Sequence, residues 1–169
     1  MGLNIRILEQ SDIPTIVAAF TSIGWNKPAS LYEGYLREQE AGMRCVWIAL
    51  QEKEFAGYVT LKKTSDYSPF REHNIPEISD LNVLPLFRNQ GIGTALLHQA
   101  ETEAKKTSPI VGIGMGLTAE YGPAQKLYIR QGYVPDGLGV TSHANPLIYG
   151  AEIRVDDDLV LWLTKKLSH

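Results

Sequence analysis

Cysteine is almost missing: Cys45 is the one thiol in 169 residues, and a single thiol cannot close an internal disulfide, so the fold must rest on its core. No apolar run approaches the ~20 residues that span a bilayer. Dense basic tracts are missing too. Sixteen Lys and Arg against nineteen Asp and Glu leave a formal net charge of -3, which disfavours a nucleic acid as partner. The four histidines, His73, His98, His143 and His169, lack the spacing of metal ligands, and no metal is implied. The opening "MGLNIRILEQSD" is charged too early for a signal peptide, and Arg6 stands where a myristoylation signal prefers Ser or Thr. The expectation is a cytoplasmic protein without a membrane partner.

What is present is an ordinary globular composition, 44% hydrophobic and 21% charged, enough for one domain over residues 1–169. "NIRILEQ" alternates like a strand. "SDIP" supplies a helix start with Ser11 or Asp12 as cap, and Gly24 a stop. "ASLYEGYLREQEAG" has helical spacing, and "RCVWIALQ" with "EFAGYVTLKK" reads as a hairpin turning at Glu52 to Glu54. "TSDYSPFREHN" reads as a loop, then "PEISDLNV" as a strand. A Gly-dotted strand "IVGIGMGL" follows the next helix, then a helix "GPAQKLYIRQ", the stretch "GYVPDG", a loop near Asn145 and Pro146, and an apolar strand "LVLWLTKK". Gly112, Gly114 and Gly116 share one face of their strand, which invites close approach by a ligand or a helix. Without repeats or linkers, this is one α/β domain.

The informative stretch is "NVLPLFRNQGIGTALLHQA", where a strand gives way to bare backbone and then to a helix beginning near Thr94. Gly91 and Gly93 let the backbone approach a bulky anion, and the helix start adds unpaired N–H groups and a positive dipole end. A diphosphate suits such a nest. The Gly-Lys-Ser/Thr of a phosphate-binding P-loop is absent, and Leu96 stands where a dinucleotide fingerprint needs its third Gly or Ala. Upstream, Ile78 lies three residues before Leu81, whereas Leu81 and Val83 are two apart. A β-bulge near Ser79 or Asp80 restores a common face.

With Arg88-Asn89-Gln90-Gly91-Ile92-Gly93 behind "VLP", and a later "LYIRQGYVPDG", the chain resembles the GNAT family of acyl-CoA N-acyltransferases. The resemblance implies a single GNAT-like domain with a mixed, mostly antiparallel, bent sheet and helices on both faces. It implies acetyl-CoA as co-substrate, its diphosphate held by Arg88, Asn89, Gln90, Gly91, Ile92, Gly93 and Thr94. The bulged strand would leave backbone at Leu81 and Val83 for the pantetheine arm and the acetyl carbonyl.

The implied chemistry is acetyl transfer from a CoA thioester to a primary amine of a small molecule or peptide, by direct attack in a ternary complex. An amine with a pKa of about 10.4 is neutral in only about one molecule in 10³ at pH 7, so proton removal helps. Glu77 is the first choice for that base, Asp80 the second, and water a third. The departing thiolate benefits from a donor, and the resemblance assigns Tyr128, just after Leu127 in the second motif. Tyr121 stands where the family often has asparagine, so no contact is carried over from that position. Asp66, Glu72 and Glu120 are read either as a negative field for a cationic acceptor or as solvated charges. A non-catalytic acyl-CoA sensor is the reading from another class. Pairing of two copies through the C-terminal strand is the expectation for a homodimer.

Overall fold

The computed structural model describes residues 2–168, so Met1 and His169, one of the four scattered histidines, lie outside the described residues. The chain packs as two compact units, Met1–Lys62 with Asp80–Ala100, and Lys63–Ser79 with Glu101–His169. Among the described residues, eight strands form a mixed, mostly antiparallel sheet flanked by helices. Among the described residues no helix is long and apolar enough to cross a membrane.

In the first unit, β1 (Leu3–Ile7) pairs antiparallel with β2 (Arg44–Gln51), and β2 with β3 (Glu54–Lys62). The β2–β3 turn runs through Glu52 and Lys53 at φ 49° and 72°. Both central residues are left-handed, as a tight hairpin requires, although neither is the usual Asn or Gly. Two helices precede the hairpin, α1 (Ile13–Ser22) and α2 (Ala29–Glu40). Their apolar residues Ile13, Ile16, Phe20, Tyr32 and Leu36 pack with Val46, Ile48, Phe55 and Tyr58 of the hairpin. The predicted cap is corrected: neither Ser11 nor Asp12 caps α1 through its side chain. A 3₁₀ turn, Gln10–Asp12, comes first, and the Asp12 carboxylate points back to Arg6 at 2.7 and 2.8 Å and to the Glu9 amide at 2.8 Å.

In the second unit, β5 (Ile110–Gly116) pairs antiparallel with β8 (Leu159–Lys166), and β8 with β6 (Val134–Ser142), which in turn meets the two-residue β7 (Asn145–Pro146). The loop expected near Asn145 and Pro146 is thereby corrected. "GYVPDG" runs into β6, whose register jumps between Pro135 and Val140, with Gly137 and Gly139 at φ 86° and 82°. Asn145 and Pro146 form β7. β8 has β5 on one side and β6 on the other, so the C-terminal strand has no open edge through which a second copy could extend the sheet.

The stretch 64–74, read as loop, contains a short helix α3 (Ser68–Glu72) with Pro69 in its first turn. Its buried Phe70 explains the glycine face of β5. A Cβ on Gly112 would lie 2.0 Å from the Phe70 ring, and one on Gly116 would lie 2.5 Å from the Tyr121 ring. Aromatic side chains fill those positions. Phe70 belongs to a cluster with Tyr67 and Trp162, the last two stacked at 4.3 Å with 4° between their planes.

β4 (Glu77–Val83) has residues in both units. Its first residues form the parallel ladder to β5, Glu77↔Gly112 and Ile78↔Ile113. Its last residues run on to a 3₁₀ turn, Pro85–Phe87, and to α4 (Ile92–Ala104), and the Leu84 amide bonds the Ala56 carbonyl at 2.8 Å. A helix α5 (Gly122–Arg130) follows β5.

Candidate functional site

The loop between β4 and α4 is built to present amides. Asn89 and Gly91 take φ 60° and 79°, so the chain reverses its curvature twice before the helix, and only glycine adopts such a conformation without steric cost. α4 opens at Ile92, two residues earlier than expected, and the Ala95 N–H donates to the Gly91 C=O at 3.0 Å. The N–H groups of Ile92, Gly93 and Thr94 therefore belong to the first turn, which lacks carbonyl partners within its own helix. Ile92 is buried and anchors the turn, whereas Asn89, Gln90 and Gly91 are exposed. Side chains brace the loop from within: Arg88 Nε donates to the Val83 carbonyl at 3.2 Å, and Gln90 Nε2 to the Leu86 carbonyl at 3.3 Å. The Arg88 guanidinium also lies 5.8 Å from the Trp25 ring centroid.

Within β4, Asp80 takes φ 53°, the left-handed region in the middle of a strand and the local geometry of a bulge or kink. Its carboxylate is crowded with donors. The Tyr35 and Tyr58 hydroxyls donate to Oδ2 at 2.7 and 2.5 Å, and Lys27 Nζ and Asn82 Nδ2 to Oδ1 at 3.2 and 2.8 Å. Burial by itself would raise the pKa of Asp80, but the Lys27 charge and the tyrosine hydrogen bonds outweigh it and hold the carboxyl below its ordinary value. Tyr58 and Tyr35 are pushed far up, first by burial and then by the Asp80 charge, and stay protonated. Four donors thus meet on one carboxylate.

Glu77, at the start of β4, is 8% exposed. The Ser65 hydroxyl donates to its Oε1 at 2.5 Å. Ser65 is itself fixed, since its oxygen accepts the Tyr67 amide at 3.0 Å. Tyr128 lies on α5 and is 6% exposed, with its ring 6.1 Å from that of Tyr133. Tyr133 donates to Glu101 at 2.8 Å, and Lys165 reaches the same carboxylate oxygen at 2.9 Å. Burial, followed by the Glu101 charge, raises the Tyr133 pKa.

The sequence matches the model of the acetyltransferase (GNAT) family over residues 12–133, a span that includes β4, the glycine loop, α4 and α5. The chain belongs to the GNAT acetyltransferase family. Solved structures agree on the fold of this GNAT protein. An N-acetyltransferase from Staphylococcus aureus is 17% identical, with a TM-score of 0.72 over 99% of this chain and 100% of that one. YncA from Salmonella typhimurium, solved with its cofactor acetyl-CoA, is 16% identical, with a TM-score of 0.69 over 99% of this chain and 95% of its own. An N-acetyltransferase from Thermoplasma acidophilum in complex with coenzyme A is also 16% identical, with a TM-score of 0.69 over 99% and 100% of the two chains. No curated protein matches the sequence closely enough to count as a relative.

Leu81, Val83 and residues 88–94 of this GNAT acetyltransferase all lie in the first unit, in one continuous strand, loop and helix. Glu77 and Tyr128 belong to the second. Asp66, Glu72 and Glu120 are exposed, and Glu72 and Glu120 accept from Ser68 and Thr118. Lys27, Tyr58 and Ser65 carried no signal in the sequence, because nothing in local spacing tells that they converge on Asp80 and Glu77 from residues far away in the chain.

Proposed function

We propose that this protein is an acetyl-CoA-dependent N-acetyltransferase acting on a primary amine of a small molecule or peptide, by direct attack in a ternary complex, with residues 1–169 as one catalytic domain. The observation that carries this reading is the left-handed Asn89 and Gly91 feeding the first turn of α4 within a matched family model. Amides of Arg88, Asn89, Gln90, Gly91, Ile92, Gly93 and Thr94 receive the diphosphate. Backbone at Leu81 and Val83 receives the pantetheine arm. The Val83 carbonyl already accepts from Arg88, which ties the strand to the loop that follows it.

Glu77 accepts the proton that the ammonium must lose, directly or through water, and the freed amine forms a bond to the thioester carbonyl carbon. The C–S bond then breaks as Tyr128 gives its proton to the departing thiolate. The second proton on nitrogen passes through water to the tyrosinate to leave a neutral amide, and Glu77 releases its proton to solvent. A phenol with an ordinary pKa of about 10 is still protonated at neutral pH and can serve as that donor. No metal enters this scheme, and the setting is taken as cytoplasmic.

The test is amine-dependent release of the CoA thiol across polyamines, aminoglycosides, amino acids and peptide N-termini, with the acetylated product identified by mass. Tight binding of acetyl-CoA with no turnover on any acceptor class would favour a non-catalytic acyl-CoA sensor.

A further inference from the structure

Asp80 combines two features that rarely meet in a strand: a left-handed backbone on a residue other than glycine, and a carboxylate with four donors arriving from separate parts of the first unit. Lys27 comes from the connection between α1 and α2, Tyr35 from α2, Tyr58 from β3 and Asn82 from β4 itself. A backbone in such a region persists only where its surroundings over-determine it. The donors supply that determination. Lys27 is fixed in turn, its ammonium 3.1 Å from the Tyr58 hydroxyl and 5.6 Å from the ring centroids of both Phe20 and Tyr58.

From the other side, β3 makes room. A Cβ on Gly57 would stand 2.3 Å from the Asn82 carbonyl oxygen and 3.0 Å from the Val83 Cα, so the strand after the kink is seated against bare backbone. The neighbouring Ala56 is the extra residue where the β2–β3 register shifts, and its carbonyl takes the Leu84 amide at 2.8 Å. Residues 81–83 therefore follow a gripped carboxylate at one end and meet a glycine seat at Asn82 and Val83.

We infer that Asp80 is a positioning residue: its carboxylate, gripped by Lys27, Tyr35 and Tyr58, sets the kink that holds the backbone of Leu81 and Val83 ready for the pantetheine arm. The inference rests on the cofactor reading given above for Leu81 and Val83. It removes Asp80 from the chemistry and gives it the task of pre-organising the strand, so that binding need not order that backbone.

The experiment uses the full chain and two readouts, amide hydrogen exchange without cofactor and calorimetric titration with acetyl-CoA. In Asp80→Ala, amides of residues 81–83 should exchange roughly tenfold faster or more while the β2–β3 hairpin keeps its protection, and the Kd for acetyl-CoA should rise by a similar factor. Tyr35→Phe deletes a single donor and keeps the ring, so both effects should appear in the same direction at roughly threefold. A folded Asp80→Ala with parental exchange at 81–83 and parental affinity overturns the inference. If that variant does not fold, Tyr35→Phe with both readouts unchanged overturns it instead. Uniform acceleration across the whole unit would also sink it, since that marks general destabilisation. So would an Asp80→Asn protein that binds and exchanges like the parent but no longer turns over, because Asp80 would then belong to the chemistry. Failure of the parent to bind acetyl-CoA overturns the cofactor reading, while the exchange arm still tests the clamp.

Discussion

Ser65 donates its hydroxyl to Oε1 of Glu77 at 2.5 Å while accepting the Tyr67 amide at 3.0 Å. The amide leaves the serine proton one direction to point, so Glu77 receives a fixed donor. Asp80, three residues on, holds four donors. The proposal above gives the proton transfer to Glu77.

Glu77→Gln keeps the side-chain shape and can still accept from Ser65, but it has no basic oxygen. The rate should fall most at low pH, where the neutral amine is scarcest and help with deprotonation matters most. Steady-state rates measured from acid to alkaline pH decide the matter. A profile superimposable on the parent's would return the role to water.

Much of this was legible in the sequence, and what was not has physical causes. The β2–β3 hairpin, α2 and β8 follow hydrophobic period and stop signals, so their limits match the residues read. The succession of strand, glycine loop and helix was legible because it is local in sequence. α3 was hidden because five residues are too few to show a helical period, and its stability comes from Phe70 docking on Gly112. β6 was hidden because glycines at 137 and 139, usual turn residues, here loop out of a strand whose ladder to β8 resumes at Val140. The grip of Lys27, Tyr35 and Tyr58 on Asp80 spans 53, 45 and 22 residues of chain, and no local pattern encodes contacts at that range. Asp12 looked like a helix cap, but Arg6 offered it a charged bidentate partner instead.

That Arg6–Asp12 pair yields a stability prediction with a definite sign. Burial would raise the Asp12 pKa, but the hydrogen bonds from Arg6 and the Glu9 amide outweigh it and hold the carboxyl below its ordinary 3.8. A lowered folded pKa means that the contribution is full above the unfolded value and is lost as pH falls through the folded one. Asp12→Ala should therefore destabilise by about 1–3 kcal/mol at neutral pH, and the gap in melting temperature between parent and variant should narrow below about pH 4. A gap of constant size down to strongly acid pH would contradict the assignment.

Gly112→Ala tests the filled glycine face. The new Cβ would fall 2.0 Å from Phe70 Cε2, so α3 or the ring must shift, at a cost of about 1–3 kcal/mol or more. Thermal unfolding should show the loss. If the variant matched the parent in stability, Phe70 would not be packed on β5 as described.

For the anion nest, Gly93→Val places a branched side chain in the first turn of α4, where close backbone approach is proposed. Acetyl-CoA affinity should fall by at least roughly tenfold, with the fold retained. Titration calorimetry on the folded variant reads this directly. An unchanged affinity would remove the diphosphate from residues 88–94.

Tyr128→Phe separates binding from chemistry at one oxygen atom. The ring, 6% exposed and 6.1 Å from that of Tyr133, remains, so packing of α5 should persist and acetyl-CoA affinity should hardly move. What disappears is the hydroxyl proposed to protonate the departing thiolate. The rate should fall by roughly 10²–10⁴ if that donor is lost outright, and by less if water replaces it. Because a CoA thiolate becomes a better leaving group once protonated, the loss should appear in kcat and kcat/KM together, with KM near its parental value. Circular dichroism and calorimetry establish that the variant is folded and binds. If it then turns over at the parental rate, Tyr128 is a packing residue, and the proton for the thiolate comes from elsewhere.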